Sequence, residues 1–242
     1  MMRSVSAAAV LMAGLAALPA QGGEIKAAGG GKAQPAFDIA TAGVAADGTV
    51  LVFQMDVKKG AGAAKPAKAG KTAGAPVFAY VWPTSLDSGA AGFGPNQGIL
   101  AFAVTIHADF DDTPLFDENA DGNPKNDGGR WHSHWVVLGP DDACGKGALK
   151  VKDIPEGTEP KLPKTWPGLP ILIDSPGYSP AVGGRRVEVR VPLDDVGMAK
   201  GAKFDAVTAG LRVNANMHAP LLCVTDVFAV ASGDLSLPGK IE

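Results

Sequence analysis

Helical periodicity is almost absent from this chain, and no apolar run reaches the roughly 20 residues that a membrane-spanning helix needs. The net charge of −3 is too small to favour a nucleic-acid partner. No nucleophile elbow, glycine-rich phosphate loop or HExxH helix is present, which leaves an enzyme reading without a motif of its own. Only two cysteines and four histidines occur in 242 residues, so any chemistry based on thiols or imidazoles has few places to be.

The first residues read as a secretory signal. Arg3 supplies a positive start, Ala7 to Leu18 a short apolar stretch, and Ala20, Gly22 and Gly23 the small residues of a cleavage region. No cysteine stands beside that region to accept a lipid. A signal peptide over 1–22 implies a periplasmic or secreted protein, a setting in which Cys144 and Cys223 can oxidise to a disulfide, the alternative being two buried thiols. Residues 23–35, without apolar periodicity, are expected to be a flexible leader. Residues 36–242 then form one domain, interrupted by a disordered loop of Lys, Ala and Gly at 58–76.

That domain reads as all-β. Runs rich in β-branched and aromatic residues recur at 49–57, 77–82, 99–107, 131–138, 148–151, 171–174, 186–191, 207–218 and 222–231, separated by Gly, Pro and Asp turns. Val187, Val189 and Val191 alternate with Arg186, Glu188 and Arg190, as expected for a strand with one buried face. The expectation is an antiparallel β-sandwich, a single domain with long loops.

Acidic residues gather in one place. Within 109–127, Asp117, Asn119, Asp121 and Gly122 spell D-x-N-x-D-G, the opening of a calcium loop in which alternate oxygen side chains curl around a hard cation. The pattern departs from an EF-hand in its second half, where Gly128 stands in place of the closing Glu. Asp127, Asp111 or Asp112 would have to complete the shell. The other reading is an Asp/Asn/Gly turn chosen for backbone geometry.

Trp131-His132-Ser133-His134-Trp135 follows at once. Residues two apart on a strand share a face, about 7 Å apart, so both imidazoles can converge on one ion. Neutral imidazole suits zinc, copper, iron or nickel. His107, ending the strand before the acidic loop, would lie at the same end of the sheet if the two strands pair antiparallel, and His218 is the remaining candidate. The bland alternative is a pair of hydrogen-bonded histidines on a half-buried face.

The segments RRVEVRVPLDDVGM (185–198) and FDAVTAGLRVNANMHAP (204–220) resemble the closing strands of DOMON domains and family 9 carbohydrate-binding modules. That resemblance implies a β-sandwich binding haem or sugar, in some members with structural calcium. A histidine-bearing exported β-protein with a calcium-like loop is also similar in kind to methanotroph surface copper-binding proteins. Those carry a tryptophan-derived ligand beside two histidines, a role open to Trp131 or Trp135, although the spacing matches no ligand residue by residue. Three functions follow. The first is an exported metal-binding protein, copper before zinc, with His132, His134 and His107 or His218 as ligands, and a periplasmic metal-handling protein as partner. The second is a carbohydrate- or small-ligand-binding module offering Trp82, Trp131, Trp135 or Trp166 as a stacking face. The third, ranked last, is a metal-dependent hydrolase or lyase in which Asp111 or Asp112 accepts the proton of a metal-bound water.

Overall fold

The computed structural model describes residues 23–28, 33–66, 74–107, 122–123, 129–197, 199–214 and 220–242. The signal segment, 1–22, lies outside them. The strands are β1 Glu24–Lys26, β2 Ile39–Asp47, β3 Val50–Val57, β4 Pro76–Pro83, β5 Ile99–Ile106, β6 His132–Pro140, β7 Leu149–Val151, β8 Ile173–Asp174, β9 Ala181–Gly183, β10 Arg186–Pro192, β11 Lys203–Phe204, β12 Val207–Val213, β13 Leu222–Val230 and β14 Gly239–Lys240. Among the described residues one short α-helix, α1 Leu193–Val196, follows β10. All the strand pairings are antiparallel, as the alternation and turn chemistry predict.

The sandwich expectation holds only in part. The sheet β1-β2-β3-β10-β9 is open, but β5-β4-β12-β13-β7-β6 closes on itself through pairing of β5 with β6 and makes a six-stranded barrel. Closure removes two sheet edges that alternation alone cannot reveal. The open sheet lies against the outer wall of the barrel, so there are two cores. In the outer one, Phe53 of β3 packs on Phe102 of β5 at 4.6 Å and meets Trp82 and Trp135 edge-on at 5.8 Å. Val187, Val189 and Val191 of β10 join that cluster.

Residues of alternate parity face into the barrel, and on β4 and β5 they are mainly alanines and valines above Thr105. On β4 the outward side chains are Phe78, Tyr80 and Trp82, whereas Val77, Ala79 and Val81 point inward. On β5, Leu100, Phe102 and Val104 are outward and Ala101 and Ala103 inward. The large aromatics thus serve the contact between sheet and barrel, while the barrel interior is lined mainly by Ala, Val, Leu and Ile.

Two expectations need correction. The supposed leader is in part a strand, since β1 pairs with β2 (Ile25↔Ala42) and buries Ile25 in the outer core. One buried apolar residue flanked by exposed Glu24 and Lys26 is too short a signal for periodicity to detect. The Lys/Ala/Gly loop is docked at its start: the Gly60 and Ala61 amides donate to the Gly184 carbonyl, and Gly62 donates to the Tyr80 hydroxyl at 2.9 Å. Gly62 is required there. Its φ is +73°, and a Cβ would come within 2.4 Å of Val182. Residues 67–73 of that loop lie outside the described residues.

A disulfide joins Cys144, in the turn between β6 and β7, to Cys223 on β13, with Cα atoms 5.5 Å apart. It ties together strands of the barrel that otherwise meet at one register pair, Cys223↔Lys150. Lys150 sits beside it in ion pairs with Asp141 (2.5 Å) and Asp153 (2.6 Å). No helix among the described residues is long and apolar enough to cross a membrane.

Candidate metal centre

Antiparallel pairing of β5 with β6 sets Thr105 opposite His132 and Ala103 opposite His134. Ala101, Ala103, Thr105 and His107 share one face of the first strand, and His132, His134, Val136 and Leu138 share one face of the second. Both faces turn into the barrel. His107, His132 and His134 therefore meet, and one ring nitrogen of each lies within 4.8 Å of the others. The His107 and His132 Nε2 atoms are 3.0 Å apart. The ring of His132 stands nearly perpendicular to both of its neighbours, at 90° to His107 and 83° to His134.

The far sides of two rings are anchored. His132 Nδ1 lies 3.1 Å from the Arg130 carbonyl, and His134 Nδ1 lies 3.3 Å from the Asp174 carbonyl and 3.1 Å from the Ser175 hydroxyl. A carbonyl only accepts, so in each ring Nδ1 carries the proton and Nε2 is left with its lone pair directed at the cluster. Fixing the tautomer from behind in this way is what protein groups around metal-bound imidazoles commonly do.

Burial keeps these rings neutral. His132 is 1% exposed and His134 2%. Desolvation holds His132 well below the usual imidazole range, and the neighbouring imidazoles His134 and His107 add to the effect. Burial, reinforced by His107, takes His134 down to about 3. Both are thus metal-competent bases at neutral pH without first losing a proton. Asp174, whose backbone holds His134, has its own carboxyl raised to about 6 by burial, against a 2.6 Å hydrogen bond from Thr165.

The remaining sequence candidates divide clearly. His218 and the calcium candidates Asp117, Asn119, Asp121 and Asp127 lie outside the described residues, as do Asp111 and Asp112. Trp82 and Trp135 are fully buried in the outer core. Trp131 packs on Tyr80 and donates to the Gly62 carbonyl, and Trp166 donates to the Leu169 carbonyl at 2.9 Å. Trp131 and Trp135 lie on the strand parity opposite to the histidines, so neither faces the cluster. The sequence reading also missed a cavity of about 610 Å³ inside the barrel, onto which His107 and His134 open. Alanines at the inward positions 79, 101, 103 and 209 were the signal for it.

Comparisons with protein-family models, with characterised proteins and with solved structures give no match.

Proposed function

We propose that this is an exported protein that binds one transition-metal ion through His107, His132 and His134. The observation that carries the reading is the convergence of three imidazoles on one point, two of them buried and held by Nδ1 hydrogen bonds in the tautomer that leaves Nε2 for a metal. Three imidazole nitrogen donors suit copper and zinc. Copper(II) is the ion named first, because divalent affinity for such a site peaks at copper. A role in holding or passing on the ion, with a periplasmic metal-handling protein as partner, fits a chain with a signal-like start and a disulfide. Calcium in the acidic loop is proposed on its D-x-N-x-D-G pattern alone.

The test is elemental analysis of the protein purified from the periplasm without a histidine tag. One copper per chain, or one zinc, supports the reading, and protein free of both that also fails to take up either ion on addition refutes it. Calcium is read in the same measurement.

A further inference from the structure

The barrel interior next to the histidines has the character of a binding site. Its wall is aliphatic almost throughout, and its only polar side chains among the described residues are Thr84, Thr105, His107 and His134. Thr84 is already engaged, donating to the Leu100 carbonyl at 2.9 Å. The others belong to or adjoin the histidine cluster. A six-stranded barrel is narrower than the eight-stranded kind whose interior side chains can just fill, so large inward residues would pack it solid. Here the sequence puts Ala79, Ala101, Ala103 and Ala209 inward and keeps Phe78, Tyr80, Trp82 and Phe102 outside. A cavity of about 610 Å³ results, well within the size range of small-molecule sites.

Two observations at the rim point the same way. The exposed large apolar side chains among the described residues are Ile99, Val227 and Leu235, and all three line this cavity. Scattered exposed leucines mean little, but their concentration on one opening does. Leu235 and Leu237, which also line it, have φ of +60° and +53°, a region that bulky side chains rarely adopt. Their segment is pinned from below. Ser232 donates through its amide and its hydroxyl to the fully buried Asp205 carboxylate, and the Leu235 amide donates to the Ser232 hydroxyl at 2.9 Å. Residues held in that backbone region cluster at ligand clamps, among other functional sites.

We infer that the barrel binds a single-chain apolar carboxylic acid, its tail among the inward alanines and valines and its carboxylate on the metal ion at the histidines. The head-group half of this rests on the metal reading above. An ion on three imidazoles carries its positive charge into a cavity whose described wall is aliphatic. A counter-charge stabilises a buried charge of that kind. A tetrahedral ion has a fourth position in which a carboxylate supplies it. Ile99, which opens β5, and His107, which follows its end, both line the cavity, so it extends along that strand.

The experiment is calorimetric titration of dodecanoate and butanoate into the zinc-loaded and the metal-free protein, with bound zinc counted in each sample. Dodecanoate should bind once per chain and at least tenfold tighter with zinc present. Butanoate should bind more than a hundredfold more weakly, since each buried methylene contributes a factor of about four. Ala209→Phe, or the milder Ala79→Leu should the first fail to fold, should keep its zinc and lose dodecanoate affinity at least tenfold. Zinc at one per chain with no dodecanoate binding, or with binding untouched by both filling variants, overturns this inference and leaves the metal reading intact. Dodecanoate affinity equal with and without bound zinc overturns the head-group assignment. A protein that takes up no zinc or copper overturns the metal reading and the head-group assignment together.

Discussion

His107 Nε2 and His132 Nε2 lie 3.0 Å apart, across two strands whose pairing places them at one end of β5 and β6. Two nitrogens on one tetrahedral zinc ion at about 2.0–2.1 Å stand about 3.4 Å apart, and cis nitrogens on a tetragonal copper(II) ion about 2.9 Å, so the observed spacing is close to that of a shared ion. The β5–β6 register and the carbonyls of Arg130 and Asp174 hold His132 and His134 in place, with one nitrogen of each of the three rings within 4.8 Å of the others.

The pH dependence of the metal-free protein follows from burial of these rings. His132 and His134 are depressed in the folded state, the second to about 3, against about 6.5 in the unfolded chain. Their contribution to stability is complete above about pH 6.5 and is lost as pH falls towards the folded values, with a slope of up to about 2.7 kcal/mol per pH unit for two protons. Asp174 acts in the opposite sense. Raised to about 6, it contributes most below its unfolded value near 3.9 and loses that contribution as pH rises through 6. Urea unfolding in chelator should therefore show stability falling from pH 7 to pH 4, and falling more steeply between pH 6 and 4 in Asp174→Asn. A flat profile would contradict neutral, buried histidines.

Hydroxyls on the two sides of β6 should separate stability from metal affinity. Ser133 faces away from the histidines, is fully buried, and donates to the Tyr178 carbonyl at 2.7 Å. Ser133→Ala should cost about 1–3 kcal/mol of stability by leaving that carbonyl without its donor, with metal affinity changed less than twofold. Ser175→Ala removes a partner of His134 Nδ1 and should weaken metal binding about tenfold. Denaturant melts beside competitive metal titrations read both quantities.

The disulfide between Cys144 and Cys223 closes a separation of 79 residues. In the chain-entropy model it should contribute about 4 kcal/mol. The double variant Cys144→Ser, Cys223→Ser should lose about that much, measured by denaturant unfolding against the oxidised protein. No loss would mean that the β7 and β13 contacts hold the barrel unaided.

Much of the site was legible in the sequence because strands translate spacing directly into direction. His132 and His134 had to share a face, and His107 joined them once β5 and β6 were taken as an antiparallel pair. The disulfide followed from compartment and count. Barrel closure did not, because alternation records which side of a strand is buried and not whether the sheet curls to meet its own edge. The cavity was hidden for a related reason. Ala79, Ala103 and Ala209 read as ordinary apolar positions until closure sets them around one interior volume. Glu24–Lys26 was missed because three residues carry too little pattern to count as a strand.

The most direct test of the three-histidine centre is a competitive copper titration of the wild type and of His107→Ala, His132→Ala and His134→Ala, with His218→Ala alongside to read any contribution from that residue. The wild type should bind one copper per chain, and each of the three substitutions should weaken binding at least a hundredfold while circular dichroism stays that of an all-β protein. Wild-type copper affinity in the triple variant would contradict the account and return His107, His132 and His134 to the role of buried, hydrogen-bonded residues of the fold.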